Sequence, residues 1–446
     1  MKKIWLWTTV LLMPLCAAAQ QNWKAVMRYD KQAVKSALAD RLQEYAQADS
    51  HAQLQAATVP STKQQTAFAK ELAKQLKHLG ASQVKVNKNG IVTAEIPATI
   101  QQDLPVLALV THLDTPPQAQ AQKPQLHAKY TSGNIVLNKA QNLALTETNS
   151  PQLLRAHGHD FLTGNGVSPF GADSKAGLTV LFTLVDYLLE NPSLQHGLIK
   201  LVILPDGISH AGAEALNLTE LGADYAYTLG GTDLGEIAAA NFSGKSFTVT
   251  FDGRRDIPLG QALSAPFADN LLMASDFHTL LPRNRRPETT FGTQGYITVD
   301  DIVTQQNRST VTGHIRAFND ADLQQLTSQV QQAFDTVKSM YPKRTGAELT
   351  FQDQFKNAQS KTQQPLIRSL EKAMRQEDIR PKQISVRNQT DFAVLTSRGL
   401  PAVGVFTGVF HGGEPMEYAD VDIMENALRT LLATILNFPP QPSQAK

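Results

Sequence analysis

The chain has 446 residues, is 42% hydrophobic and 18% charged, and carries a formal net charge of +1. That composition is globular, and the near-neutral balance gives no bulk electrostatic reason for a nucleic-acid or anionic-membrane partner. The length exceeds one ordinary core, so about two domains are expected, and the single cysteine, Cys16, leaves the chain beyond it without disulfides or thiolate metal ligands.

Lys2-Lys3, the apolar run from Ile4 to Leu15 and Ala17-Ala18-Ala19 read as a signal peptide over residues 1–19, which implies a secreted, periplasmic protein. Lipid attachment at Cys16 is the lesser alternative, because Met13-Pro14-Leu15 lacks the small residue wanted before a lipid-modified cysteine. No later run is long enough to span a bilayer. A first helix follows, with Val34, Ala37, Leu38, Leu42 and Tyr45 on one face. Ser61 then caps a second helix, with Gln64 in capping-box spacing, Phe68, Leu72, Leu76 and Leu79 on one stripe, and Gly80 as the stop.

Val84–Val86 and Ile91–Ile96 are strand candidates. The stretch Leu107 to Thr115 (LALVTHLDT) is an apolar run that stops at His-x-Asp, as a buried strand does when it delivers polar side chains to its carboxyl end. From Pro116 to Phe170 the pattern is weak, and a loop that long is functional or partly structured on its own. Gly171-Ala172-Asp173-Ser174-Lys175-Ala176-Gly177 leads into a helix over Lys175–Leu189, and the Leu198–Leu204 strand breaks at Pro205-Asp206-Gly207. Strand, helix, strand is the unit of a parallel sheet.

The character changes near Asn241. Strands at Ser246–Phe251, Tyr296–Val303 and Ser309–Arg316 and helices at Asn270–Leu281 and Leu323–Tyr341 suggest an inserted α+β lid over residues 243–351. The first domain, residues 20–242, resumes over 352–446 with helices near Leu366–Met374, Phe392–Ser397 and Ile423–Leu436 and a strand at Ala402–Thr407. The fold class expected is α/β, a mixed or parallel sheet flanked by helices, with the lid inserted.

Taken together, Val59-Pro60-Ser61-Thr62, Thr111-His112-Leu113-Asp114-Thr115, the Gly171–Gly177 stretch, Pro205-Asp206, Ile315-Arg316-Ala317-Phe318, Arg387-Asn388-Gln389-Thr390-Asp391 and Phe406-Thr407-Gly408 resemble, in order and spacing, the peptidase T branch of the two-zinc exopeptidase family, which also includes carboxypeptidase G. The resemblance implies a zinc aminopeptidase acting on short peptides. In that family one metal sits on a His, a shared Asp and an acidic residue, the other on the same Asp, a Glu and a late His, with a preceding Glu as general base. Carried over, His112 matches the first ligand, Asp114 the carboxylate that orients it, and Asp173 the bridging ligand. Gly207 stands where the base belongs, Ile208 and Gly230 at two ligand positions, Met416 at the late histidine in an ungapped reading, and Ile257 at a lid histidine. Asp233, His210 and, through a gap that aligns His411-Gly412, Glu414 are the neighbours that could compensate. Arg316 and Arg387 match arginines that hold substrate carboxylate.

Five of these residues carry plainer readings as well. Asp173 could simply cap the helix after it, His112 and Asp114 could pair structurally, and each arginine could be a surface ion pair. The expectation is a peptidase T-like protein that binds short peptides with hydrolysis absent or weak and zinc possible at an incomplete site. An active zinc aminotripeptidase with a rearranged site and a lid-mediated scaffold are the alternatives.

Overall fold

Both faces of the Leu107–His112 strand are covered, Leu107 and Leu109 by one hydrophobic cluster and Ala108 and Val110 by another, as the two-residue side-chain period requires. The computed structural model describes residues 29–253, 268–341 and 346–438; the expected leader, Cys16 and Ile257 lie outside them. Among the described residues, eight strands form one sheet in the order Ser82–Val86, Val92–Ile96, Ile199–Leu204, Leu107–His112, Tyr225–Gly231, Ala402–Phe406, Glu236–Asn241, Lys382–Val386. Leu107–His112 is parallel to both of its neighbours, and Ala402–Phe406 continues the parallel run beside Tyr225–Gly231. Antiparallel pairings at Val92–Ile96 and Glu236–Asn241 make the sheet mixed.

Helices Lys31–Tyr45, Ala172–Glu190, Gln364–Gln376 and Val421–Leu436 pack together on one face. The helix Ala172–Glu190 lies so close to the sheet that a Cβ on Gly177 would sit 2.6 Å from the Leu229 carbonyl and 2.6 Å from Thr111 Oγ1. No helix among the described residues is long and apolar enough to cross a membrane.

A second sheet, all antiparallel, runs Tyr296–Thr304, Arg308–Ala317, Ser243–Asp252, Ala347–Phe355. Helices Asn270–Leu280 and Asp320–Met340 bury Phe247, Phe251, Phe277 and Phe334 against it, a core of its own. Its last strand reaches Phe355, four residues past the expected end at 351. The two chain crossings into this unit are hydrogen-bonded to each other. Asn241 N–H donates to Asn357 Oδ1 (3.3 Å), Ala358 N–H to Asn241 Oδ1 (2.8 Å) and Asn357 N–H to Ser243 Oγ (3.0 Å).

Differences from the sequence reading have local causes. The second helix is capped by Thr62, not Ser61, because Ser61 is held by Asp206, whose Oδ2 accepts the Ser61 N–H at 2.7 Å. On the first helix Ala37 is exposed and Lys35 buried, since Lys35 Nζ lies 2.9 Å from Asp160 and 2.7 Å from Asp422. The 116–170 stretch carries short strands, of which Gln125–His127 and Phe161–Thr163 join Tyr418–Asp420 and Val409–Phe410 in a small sheet.

Candidate active-site crevice

The carboxyl ends of the parallel strands open on a crevice of about 330 Å³ lined by His112, Asp173, Gly207, His210, Gly230 and Asp391 among others. This is the place where open α/β sheets accept ligands. His112, the last residue of its strand, has Nδ1 3.1 Å from Asp114 Oδ1. Asp114 is fully buried and also accepts the Gly207 N–H at 2.7 Å and the Ile208 N–H at 3.0 Å. With Nδ1 committed to a carboxylate, Nε2 is the nitrogen left to face the crevice. It lies 3.8 Å from Asp173 Oδ1.

Asp173 interrupts the start of its helix with extended backbone angles (φ −82°, ψ 105°). No N–H among the described residues donates to its carboxylate, so nothing in its contacts shows it capping the helix. The amides around it are satisfied instead by Glu417. Its Oε2 accepts the N–H groups of Phe170 (2.9 Å), Gly171 (2.7 Å) and Ala172 (3.0 Å), and its Oε1 those of Asp173 and Gly413, each at 3.3 Å. The sequence reading gives Glu417 no role; a glutamate inside the apolar context Met416-Glu417-Tyr418-Ala419 was the available signal. Burial raises Glu417 to about 7 against the pull of these amides.

Burial alone would lower the His112 imidazole, but the Asp114 hydrogen bond and the charges of Asp114, Asp173 and Asp391 outweigh it and lift it to about 9. Burial raises the Asp173 carboxyl, His112 draws it back, and Asp114 and Asp391 push it up again. The crevice therefore gathers more carboxylate than its own cations neutralise, which suits a bound cation.

The same crevice is lined by a second imidazole–carboxylate pair, in which His210 lies outside the stretches that match the family. His210 Nδ1 lies 2.8 Å from Asp391 Oδ1, with side chains 18% and 10% exposed. The Gly207 position is closed to any side chain in this arrangement, because a Cβ there would meet His112 Cγ at 2.2 Å. At Gly230 a Cβ would meet nothing within 4 Å.

The other expected residues are engaged elsewhere. Asp233 pairs with Arg155 at 2.8 Å, and Glu414, 62% exposed, lies 3.3 Å from His411 Nδ1. The loop bearing Glu414 does reach the crevice, since a Cβ on Gly412 would lie 3.2 Å from Asp173 Oδ2. Met416 Sδ lies 3.8 Å from Asn149 Nδ2. Arg316 donates to Gln354 at 2.7 Å and stacks on Phe355 at 4.8 Å. Arg387 donates to the Thr290 carbonyl at 2.9 Å and to the Thr290 hydroxyl. Its guanidinium lies 4.5 Å from the Tyr296 ring centroid and 5.7 Å from that of Phe242, so it bridges the two sheets.

His112 and Asp173 fit a zinc-type ion as two donors, one short of the usual three protein ligands. Among the described residues, the group of three whose ligand atoms all lie within 4.8 Å of one another is His159, Asp420 and Asp422, outside this crevice. There Asp420 caps the last helix and Asp422 holds Lys35.

No family model matches the chain. It is 32% identical over 384 residues to peptidase T of Caldanaerobacter subterraneus subsp. tengcongensis, covering 85% of this chain and 93% of that one. Peptidase T of Clostridium acetobutylicum is 31% identical over 402 residues, 89% and 97% of the two chains. Among solved structures, aminopeptidase PepT from Bacillus cereus superposes with a TM-score of 0.68 at 18% identity, covering 90% of this chain and 98% of that one. The YXEP protein of Bacillus subtilis, a dinuclear metal-binding peptidase of the M20 family, gives 0.60 at 13% identity, over 91% and 98% of the two chains.

Proposed function

The chain belongs to the peptidase T family, and from that premise we propose that short peptides are its ligands and that the crevice at His112 and Asp173 receives them. The observation that carries this is the pair itself. His112 is turned by a buried aspartate so that Nε2 and the Asp173 carboxylate face one another at 3.8 Å in the crevice.

Hydrolysis is the outcome that family membership favours. A divalent metal, when bound, would supply the Lewis acid that polarises a scissile carbonyl and lowers the pKa of bound water. His112 and Asp173 would hold it, while Asp114 keeps the His112 ring in register. Arg316, on the inserted sheet, and Arg387, just past the last strand of the eight-stranded sheet, suit the peptide carboxylate once their present partners are exchanged.

Binding with weak or absent turnover is favoured by a specific observation in the turn after Pro205. Proton transfer needs a carboxylate or imidazole near the attacking water, and position 207 offers only a glycine whose missing side chain is the space that the His112 ring fills. The run from Lys2 to Ala19 supports export to the periplasm under either outcome, and N-terminal sequencing of the mature protein tests it.

One experiment separates the two. Mature protein is assayed with di- and tripeptides by calorimetry, and for hydrolysis with chelator and with added zinc. Saturable heat with chelator-sensitive turnover supports the enzyme; saturable heat without turnover supports the binding protein. No heat and no turnover with any peptide removes both.

A further inference from the structure

The lining of the crevice divides into two kinds of surface. One is acidic: with Asp173 and Asp391 in its wall, the crevice carries more carboxylate than its own cations neutralise. The other is apolar or bare backbone, from Gly230, Ala238, Ile384, Val386, Phe392 and Gly404. Backbone pairing makes this second surface continuous. Ala238 pairs with Gly404 on one side and with Ile384 on the other, so the three lie side by side on one sheet face. Val386, two residues beyond Ile384 on its strand, shares that face. Phe392 packs on it, since a Cβ on Gly404 would stand 3.4 Å from the Phe392 ring and 3.0 Å from Ala238 Cβ. Gly230 leaves the surface open. Leu229 pairs with Val405 and Gly231 with Phe406, which makes Gly230 the extra residue of a β-bulge. It is exposed, it lines the crevice, and a Cβ there would meet nothing within 4 Å.

We propose that this crevice selects peptides by their N-terminal residue, taking an apolar side chain such as leucine against Gly230, Ala238, Ile384, Val386 and Phe392 while the free α-ammonium faces the Asp173 and Asp391 carboxylates. A volume of about 330 Å³ stands at the lower end of small-ligand pockets, which run from roughly 300 to 1,000 Å³. It suits one residue of a peptide better than an extended chain. Charge decides the orientation. In a peptide without basic side chains the α-ammonium is the one cation, and the crevice carboxylates attract it and repel the opposite end. Gly230 is then the residue that sets specificity, because a side chain there would fill the room that the ligand's side chain uses. The same carboxylates disfavour an acidic first residue, and a glycine in that place would bury no apolar surface.

The inference rests on the crevice being the peptide site, and a ligand series tests it apart from that reading. Mature wild type is titrated by calorimetry with Leu-Gly-Gly, Gly-Gly-Gly, Asp-Gly-Gly and N-acetyl-Leu-Gly-Gly, with kcat/KM read instead where a peptide is turned over. Leu-Gly-Gly should bind roughly ten- to a hundredfold more tightly than Gly-Gly-Gly, the gain from burying one leucine side chain. Acetylation, which removes the ammonium, should cost at least about tenfold, and Asp-Gly-Gly should bind no better than Gly-Gly-Gly. Gly230→Leu should bring Leu-Gly-Gly down to the level of Gly-Gly-Gly. Its unfolding midpoint should match that of wild type, because a Cβ there meets no neighbour, and the ligand series itself needs no variant. Equal affinity for Leu-Gly-Gly and Gly-Gly-Gly, no loss on acetylation, or a full preference for leucine in folded Gly230→Leu overturns the proposal and leaves the crevice reading standing. No binding of any peptide removes both.

Discussion

Gly207 and His112 occupy space that cannot be shared: a Cβ on residue 207 would lie 2.2 Å from His112 Cγ and 2.3 Å from His112 Cβ. Gly207→Ala should therefore push the ring off Asp114 and destabilise the fold by about 1–3 kcal/mol, the usual cost of overpacking. Urea unfolding measures it, and an unchanged midpoint would show that the turn yields freely. For the same reason Gly207→Glu alone should bring no gain in peptide hydrolysis.

Asp114 is asked to accept from an imidazole and two backbone N–H groups at once. Asp114→Asn keeps the shape but turns an amide N–H₂ toward one of those donors. A loss of about 1–3 kcal/mol is expected from the unmet hydrogen bonds. Peptide affinity should fall with it, because this carboxylate's two oxygens hold the Gly207 and Ile208 N–H groups of a turn that lines the crevice.

Glu417 supports five N–H groups in the two loops that meet beside Asp173. Glu417→Ala would strand them in a buried place, with a loss of about 3 kcal/mol or more. Glu417→Gln, which keeps one acceptor oxygen, should cost less. Equal losses in the two variants would contradict this account.

His159 is the group to watch against pH. Burial opposes its charge, but its hydrogen bond to Asp420 at 2.7 Å and the charges of Asp420 and Asp422 raise it above 6.5. Its contribution to stability is thus fully present below pH 6.5 and is lost as pH rises through the raised value. Unfolding followed from about pH 6 to about pH 9 should show wild type losing stability more steeply than His159→Gln. Parallel curves would count against it. Asp420, itself raised from 3.8 by burial, titrates from the acidic side and does not set this window.

Arg387 ties the two sheets through a flat guanidinium set between Tyr296 and Phe242. Arg387→Lys keeps the charge and loses the fork and the stacking. Faster proteolysis at the chain crossings near residues 241 and 357 should follow, together with peptide affinity reduced about tenfold. Normal proteolysis with reduced affinity would mean that the side chain serves the ligand and not the join.

Much of the frame was legible because its physics is local. The apolar run ending at His112, the glycine that stops the second helix and the alternation in Ser246–Phe251 each fix an element through nearest neighbours. Tyr225–Gly231 and Glu236–Asn241 escaped notice, since Ala238-Ala239-Ala240 carries no strand preference and becomes a strand only by pairing with Lys382–Val386 and Ala402–Phe406. At the crevice, His112, Asp114 and Asp173 were legible as a set through the family resemblance. The partnership of His210 with Asp391 spans 181 positions and was not. Nor could sequence show that Arg387 would spend its fork on Thr290, a residue of the inserted unit.

The seam at Asn241 and Asn357 gives the inserted unit a particular kind of freedom. Both crossings are laced to one another by backbone and side-chain hydrogen bonds, with the Asn241 amide also donating to the carbonyls of Phe242 (2.8 Å) and Lys356 (3.3 Å). Two independent tethers would let the unit tilt, twist and slide. Two tethers fastened side by side make shear at the seam cost several hydrogen bonds, and a swing about it must first release Arg387 from Thr290 and Tyr296.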